Sequence, residues 1–258
     1  MSANNASPKG SLEKLVLTGS STVAPLASEI GKRFEALHPN VRVDVQTGGS
    51  SRGVNDARTG LANIGMASRA LKVKESDLLS FTIALDGISI ITHQANPVTA
   101  LDRQQIIAIY TGKILNWKDV GGNDAPITVV NKSEGHSTLE LFLHHFGLKN
   151  TDVKAHVVIG DNQQGIKTVA GNPNAIGYVS IGAAEYAASH DIAIKLLPLG
   201  GITASVANVL NHSFPLSRPL NLVTREAPTG TAKAFIDFAR SVQVNDLIEA
   251  QYFVPVAH

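Results

Sequence analysis

Three short turns of the chain carry residue types that could hold a small anion. Glycine and hydroxyl residues follow a predicted strand and precede a predicted helix at residues 18–22, 48–53 and 132–138. The N-terminus of a helix presents unpaired N–H groups and partial positive charge, and nearby hydroxyls add further donors. The same residue types are ordinary helix caps, so one turn alone would say little. Three such turns favour a site for a tetrahedral anion, because open parallel sheets bind ligands beyond the carboxyl ends of their strands.

A catalytic motif can be weighed against this interpretation. Residues 49–53 place Ser51 between glycines, as in the nucleophile elbow of α/β-hydrolases. Too few strands precede Ser51 to build the oxyanion loop of that fold, and no particular histidine and acid can be assigned as its partners. A serine hydrolase that uses Ser51 is therefore the less favoured alternative, and we expect no catalytic residues.

The sequence gives little support for a metal site or a nucleotide-binding site. His136, Glu140 and His144 follow one another at intervals of four residues and could share a helical face. The apolar residues between them indicate instead a helix that packs against a core. None of the glycine turns continues into the Gly-Lys-Ser/Thr sequence of a nucleotide-binding loop. We expect no metal and no cofactor.

The elements that must position these turns alternate between strands and helices. Apolar runs predict strands at residues 15–17, 41–45, 63–67, 87–93, 127–131, 156–159, 175–180, 194–197 and 220–224. Helical spacing predicts helices after each of the first two turns and at residues 103–110, 138–146, 166–170, 182–189, 232–241 and 246–252. This alternation is typical of an α/β protein with mostly parallel strand pairing.

Composition narrows the classes of partner. The 258 residues include 22 Lys and Arg and 21 Asp and Glu, so the net charge is +1 and no broad field would draw the chain onto nucleic acid. Cysteine is absent, which excludes disulfides, thiolate metal sites and a cysteine nucleophile. No run approaches the roughly 18 apolar residues of a membrane helix, and the start lacks the apolar segment of a secretion signal. A mature exported chain would have the same features.

Two breaks divide the predicted elements. One falls near residues 94–97, directly after an apolar strand, and the other falls near residues 200–202. If the chain crosses between lobes at both breaks, residues 94–202 form an inserted second lobe. The expected first lobe is then discontinuous, with residues 11–93 and 203–258, and residues 1–10 are a polar N-terminal extension.

Six segments in a fixed order carry a family resemblance. They read LTGSSTVAP at 17–25, GSSRGV at 49–54, IGMASR at 64–69, LDGI at 85–88, IYTGKILNW at 109–117 and AIGYV at 175–179. The chain resembles, from about Leu15 to Val254, the phosphate-specific solute-binding proteins of ABC transporters, the PstS-like group of periplasmic binding proteins. The resemblance implies an α/β, two-lobed periplasmic-binding-protein fold of type II, with the ligand in the interlobe cleft.

The resemblance also implies roles for individual residues. Thr22 and Ser50 take the places of anion-binding hydroxyls at the first two helix starts, and Ser68 stands where some members have an aspartate. Lys132 occupies the usual arginine position, and residues 136–138 occupy that of a Ser-Gly-Thr turn. The expected phosphate-binding residues are Ser21, Thr22, Ser50, Ser51, Ser68, Arg69, Lys132, His136, Ser137 and Thr138.

Three departures from the family pattern affect selectivity and affinity. Lys132 offers a point charge, whereas arginine offers a planar guanidinium with two parallel donors. The geometry of the hydrogen bonds to an oxyanion should therefore be less well defined with lysine. If His136 faced the anion, binding would strengthen as the pH falls. Ser68 can donate or accept a hydrogen bond, whereas a carboxylate would repel a fully ionised oxyanion. Sulfate, phosphonate and arsenate therefore remain alternative ligands.

By resemblance, we expect high-affinity capture of inorganic phosphate for an ABC importer, by hinge closure around the dehydrated anion. The expected partners are phosphate and a membrane permease, with no nucleic acid, and we expect a monomer. The expected location is periplasmic or otherwise extracytoplasmic, and the expected protein is not an enzyme.

Overall fold

Strands alternate with helices along residues 12–256, which are the residues that the computed structural model describes. The strands are β1 (Glu13–Gly19), β2 (Val41–Thr47), β3 (Ile64–Ala67), β4 (Leu79–His93), β5 (Thr128–Lys132), β6 (Val157–Ile159), β7 (Ala175–Ser180), β8 (Ile194–Leu197), β9 (Ser217–Thr224) and β10 (Val254–Pro255). The helices are α1 (Ala24–Leu37), α2 (Ser50–Thr59), α3 (Arg103–Tyr110), α4 (Ser137–Phe146), α5 (Asn162–Ala170), α6 (Ile181–Ser189), α7 (Val206–Leu210), α8 (Gly230–Ala239) and α9 (Asn245–Ala250). Every predicted strand and helix is present. The ends of α3, β7 and β8 are as predicted, the others are shifted, and α7 and β10 were not predicted. The extension expected at residues 1–10 lies outside the described residues.

Strand pairing is mixed, so the expectation of mostly parallel pairing is wrong. The sheet runs in the order β2-β1-β3-β9-β4-β7-β5-β6, and β8 and β10 also pair with β4. Strands β1 and β5 pair in parallel with their neighbours, whereas β4 and β9 are antiparallel to every strand they pair with. The reason is that β9 returns from the second half of the chain, enters the sheet between β3 and β4, and runs antiparallel to both.

The long strand β4 joins two halves of the structure. Its residues up to Gly87 pair with β9, and those from Ile88 onward pair with β7 and β8. One core lies between the β1–β3–β9 half of the sheet and helices α1 and α8, and a second core lies around α3, α4 and the β7 half. This arrangement confirms the expected two-lobed α/β fold. We call these halves the first and second lobes.

The precise lobe boundaries, at residues 93/94 and 202/203, stay a prediction. Val209 on α7 and Phe214, which the prediction assigns to the first lobe, pack in the core of the second. No helix within residues 12–256 is long and apolar enough to cross a membrane.

Close packing of glycines brings the first two turns together. Gly19, at the end of β1, has φ +131°, and a Cβ there would lie 2.4 Å from the Met66 carbonyl oxygen and 2.7 Å from Gly53 Cα. Only glycine permits this approach, because any side chain would overlap the neighbouring backbone. The start of α2 therefore lies directly against the ends of β1 and β3, which carry the polar residues described next.

Candidate functional site

Hydroxyl groups from both lobes converge on one buried guanidinium. Arg218, near the start of β9, donates from Nη1 to Thr138 Oγ1 at 2.9 Å and to Ser68 Oγ at 3.3 Å, and from Nη2 to Thr22 Oγ1 at 3.3 Å. All four residues are at most 4% exposed. Thr22 follows β1, Ser68 follows β3 and Thr138 lies in the first turn of α4. The turns predicted from sequence therefore meet in space, around a cation that belongs to none of them.

A carboxylate on the neighbouring strand holds this guanidinium in place. Asp86 faces Arg218 in the register between β4 and β9. Asp86 Oδ2 accepts from Arg218 Nε at 3.1 Å and Nη2 at 2.8 Å, while Oδ1 accepts from Ser180 Oγ and from the Gly182 amide. A buried ion pair is tolerable when additional hydrogen bonds satisfy its remaining atoms, as they do here.

Lys132 supplies a second buried cation from the end of β5. Its side chain is 2% exposed, and Nζ donates to Asn162 Oδ1 at 3.2 Å. Asn162, the first residue of α5, donates in turn from Nδ2 to Thr22 Oγ1 at 3.1 Å. Burial, reinforced by the charge of Arg218 and partly offset by Asp161, lowers the pKa of Lys132 to about 7. Among residues 12–256, no carboxylate forms an ion pair with this ammonium, and a bound anion could take that place.

Two further hydroxyls complete this cluster. Ser50 Oγ, at the start of α2, accepts from the Ser68 amide at 3.1 Å and lies 3.5 Å from Ser68 Oγ. Ser137 is 1% exposed at the start of α4, and its Oγ has no hydrogen-bond partner among the described residues. Neither α2 nor α4 has a side-chain cap. Buried polar atoms are normally paired, so the Ser137 hydroxyl is available to a ligand. The amides at the two helix starts are also available, apart from that of Ser51, which donates to the Gly135 carbonyl.

The anion cluster is the name we give to this set, whose members are Thr22, Ser50, Ser68, Asp86, Lys132, Ser137, Thr138, Asn162 and Arg218. Its ionisable members are two cations and one carboxylate, so its charge is positive whenever Lys132 is protonated. Hydroxyl, amide and cationic groups of both lobes meet at one buried place. This combination can hold a small anion stripped of water.

Four predicted site residues lie outside the anion cluster. Ser21 is half-buried and lines a groove beside it. Ser51 Oγ donates to Glu140 Oε1 at 3.1 Å, and Arg69 is bound by Glu75 and Glu140. The His136 ring is half-buried, and its Nδ1 lies within 3.1 to 3.3 Å of acceptors in its own turn, at Ser133 and Glu134. Ser51 and Arg69 lie outside the cluster because their side chains already bind other residues, and Ser21 lies outside because it faces the groove. The His136 ring interacts only within its own turn among the described residues.

Three members of the anion cluster were not found from the sequence. Asp86 lies within a segment that carries the family resemblance but received no role. Arg218 lies two residues before the predicted strand at 220–224, and Asn162 lies four residues before the predicted helix at 166–170. An ionisable residue inside the apolar stretch of β4 was a usable signal, because such residues are rarely buried without a partner. Nothing in the sequence alone could have paired it with Arg218.

The alternatives of metal binding and hydrolysis gain no support from the geometry. Among residues 12–256, no group of three or more His, Cys, Asp or Glu side chains is arranged to hold a metal ion. The hydrogen-bond partner of the Ser51 hydroxyl is a glutamate rather than the histidine of a nucleophile–base pair.

A groove of about 790 Å³ adjoins the anion cluster on one side. Thr22 and Asn162 form part of its wall, together with residues of α1, α6 and α9. The hydrogen bond between Asn162 and Thr22 separates the groove from Lys132 and Arg218. The cleft between the lobes is therefore open to this groove only up to that contact.

Comparison with known sequences and structures places this geometry in context. A sequence family described as a PBP superfamily domain matches residues 4–242. The phosphate-binding protein PstS of Bacillus subtilis is 26% identical over 262 residues, which cover 98% of this chain and 85% of that protein.

Two solved structures are similar over almost the whole chain. A Clostridium perfringens protein assigned to phosphate ABC transport, solved with bound phosphate, is 36% identical with a TM-score of 0.87, covering 95% of this chain and 100% of that chain. An ABC-type phosphate transport receptor from Vibrio cholerae is 33% identical with a TM-score of 0.77 and the same coverage.

Proposed function

The chain belongs to the PBP superfamily, and from this membership we propose that it captures inorganic phosphate with high affinity as the solute-binding component of an ABC importer. The observation that carries the proposal is the convergence of Arg218 and Lys132 with hydroxyls of both lobes on one buried position. The similar proteins from Bacillus subtilis, Clostridium perfringens and Vibrio cholerae are named for phosphate binding or transport, which supports the choice of anion.

Binding proceeds by closure of the two lobes around the anion. Thr22, Ser50 and Ser68 approach it from the first lobe, and Lys132, Ser137 and Thr138 approach it from the second. Arg218 lies between them on β9, where Asp86 fixes the orientation of its planar fork. Closure replaces the water around the anion with these donors, which are already oriented, so the cost of dehydrating the anion is offset.

Phosphate is compatible with the hydroxyls of the anion cluster, and the named relatives favour it among the oxyanions. Phosphate bears both acceptor oxygens and a proton at neutral pH, and the hydroxyls of Ser50, Ser68 and Ser137 can each donate or accept. Sulfate, arsenate and phosphonates are the competitors that the binding experiment must compare.

The remaining parts of the proposed function concern partners and location. The protein delivers phosphate to a membrane permease, works as a monomer outside the cytoplasm and performs no chemistry on its ligand.

Isothermal titration calorimetry tests the proposal directly. Protein freed of phosphate with a phosphate-scavenging enzyme system should bind phosphate at one site per chain, and sulfate should give much weaker heats. A strong response to another oxyanion, with none to phosphate, would overturn the assignment of the ligand.

A further inference from the structure

The rim of the cleft opposite the groove is bridged by charged residues. Glu140, in the first turn of α4, contacts three residues of the first lobe: its Oε1 accepts from Ser51 Oγ at 3.1 Å, and its Oε2 lies 3.0 Å from Arg69 Nε and 2.8 Å from Lys72 Nζ. We call Ser51, Arg69, Lys72 and Glu140 the Glu140 bridge. Beside it, the Ser51 amide donates to the Gly135 carbonyl of the second lobe at 3.0 Å.

Arg69 reaches across the cleft from a fixed position. Its Nη1 and Nη2 donate to the two carboxylate oxygens of Glu75 at 2.7 and 2.9 Å, and both side chains are at most 6% exposed. Burial raises the pKa of Glu75, but the hydrogen bonds from Arg69 and from the Lys72 amide more than compensate and lower it overall. This pair within the first lobe leaves Nε without a partner of its own lobe, and its 3.0 Å contact with Glu140 Oε2 is an ion pair without hydrogen-bond geometry. The guanidinium is therefore oriented before the lobes meet.

The contacts of Arg69 make the bridge reversible. When the lobes separate, Arg69 keeps its bidentate partner Glu75, so opening leaves no unpaired buried cation. Glu140 is 26% exposed and Lys72 is 40% exposed, so both can be hydrated as the cleft opens. The bridge thus adds stability to the closed state without the large penalty that a fully buried charge pair would impose on opening.

Helix α4 links the bridge to the anion cluster. Ser137 and Thr138 belong to the cluster, and Glu140 follows within the same first turn of the helix. No hydrogen bond or ion pair among the described residues joins Glu140 to the cluster itself. The contacts of Glu140 therefore act on the relative position of the lobes, whereas its charge by itself would repel an anion, so a weaker affinity after its removal reports the position of the lobes.

We infer that the Glu140 bridge is a latch that holds the cleft closed, and that Glu140 is a positioning residue that sets how long the captured anion stays bound. The inference rests on the proposed function for the identity of the anion, but the latch itself is a property of the free protein. Removing the charge of Glu140 shifts the equilibrium towards the open state, and the anion then dissociates faster.

Single-molecule energy transfer between the lobes tests the latch. The chain contains no cysteine, so Leu61→Cys and Val158→Cys, at positions 72% and 62% exposed on the first and second lobes, can be labelled selectively. In this background we compare Glu140→Gln with Asp124→Asn, which removes an exposed ion pair with Lys118 inside the second lobe. Lys72→Met serves as a milder variant of the same bridge.

The expected result has two parts. Free Glu140→Gln protein shows a larger open population than the parent or Asp124→Asn, and Lys72→Met shows a smaller shift in the same direction. With phosphate, Glu140→Gln dissociates faster and has a Kd weakened about tenfold, the scale of one hydrogen bond to a charged group. A purely structural role would instead lower the melting temperature without changing the open population.

Two failures are distinguishable in this experiment. If the interlobe distances and dissociation rates of Glu140→Gln equal those of the parent while the parent binds phosphate, the latch is refuted and the proposed function stands. If the parent binds no phosphate, the proposed function fails, and the distances in the free proteins still decide whether the latch exists.

Discussion

Asp86 and Arg218 form a cross-strand ion pair in the middle of the sheet, with both side chains 1% exposed. The pair lies where β4 leaves the first lobe for the second, so the guanidinium that contacts hydroxyls of both lobes is attached to the structure that joins them. The carboxylate occupies one edge of the fork, through Nε and Nη2, and leaves Nη1 for Ser68 and Thr138. One carboxylate thus neutralises and orients a cation that would otherwise be costly to bury.

Replacing Arg218 by methionine should abolish phosphate binding and lower the free energy of unfolding by about 3 kcal/mol, since it leaves the Asp86 carboxylate buried without its partner. Adding Asp86→Asn should recover much of that stability but none of the binding. Urea denaturation and calorimetry check the two effects separately. Arg58→Met, which breaks an exposed ion pair with Asp77, is the control and should change both quantities little. Phosphate binding that survives Arg218→Met would remove this residue from the site.

Replacing Lys132 by methionine should stabilise the free protein while preventing tight binding. The pKa of Lys132 in the folded protein is about 7, below the ordinary value of 10.5, because its charge is buried. The buried charge therefore costs stability in full below pH 7, and the cost declines as the pH rises from 7 towards 10.5. We expect Lys132→Met to raise the free energy of unfolding by about 2 kcal/mol at pH 6, and by less at pH 9. Thermal melts of phosphate-free protein at both pH values measure this, and a destabilised variant at pH 6 would contradict it.

Phosphate binding above pH 7 should be accompanied by proton uptake at Lys132. The amine is largely neutral in the free protein there, and a bound anion raises its pKa, so affinity should fall by up to about tenfold per pH unit as the pH rises above 7. Isothermal titration calorimetry at pH 8, in buffers of different ionisation enthalpy, measures the number of protons taken up when phosphate binds. Lys132→Arg, whose side chain stays charged, is the matched control. Because the ionisation of phosphate itself contributes equally to both proteins, equal uptake by both would refute the role of Lys132.

A methyl group at residue 49 should hinder closure of the cleft. Gly49 has φ +88°, and a Cβ there would lie 2.6 Å from the Gly135 carbonyl oxygen of the second lobe. Gly60 also has a positive φ, +75°, and no described atom lies within 4 Å of its Cβ position, so Gly60→Ala imposes left-handed backbone strain without a clash. This strain is the milder of the two, because Gly60 has ψ 14°, which alanine can adopt, whereas Gly49 has ψ 157°, which is essentially restricted to glycine. We expect Gly60→Ala to lose about 1 kcal/mol of stability and Gly49→Ala to lose more, but only Gly49→Ala to weaken phosphate binding, by more than about tenfold. Equal Kd values for the two variants in calorimetry would show that residue 49 does not limit closure.

Particular residues show how far the sequence could predict the site. Thr22, Ser50, Ser68, Lys132, Ser137 and Thr138 were predicted, because helix starts that follow strands have a local signature and because the family resemblance assigned them roles. Arg69 was predicted to bind phosphate together with Ser68, but its side chain contacts Glu75 and Glu140. The side chains of these two neighbouring residues point in different directions because the segment after β3 is irregular. Pairing direction was predicted incorrectly, since the return of β9 depends on contacts far along the chain.

The sequence by itself determined which segments become strands and helices, that a nearly neutral chain would need a local anion site, and which turns supply hydroxyls. These properties depend on composition and on spacing over a few residues. Tertiary structure alone decided that Arg218, 132 residues from Asp86, provides the central cation, and that Glu140 joins Arg69 across the cleft. The physical reason is that the free energy of a buried charge depends on the partners that folding brings next to it, and those partners have no fixed distance along the chain.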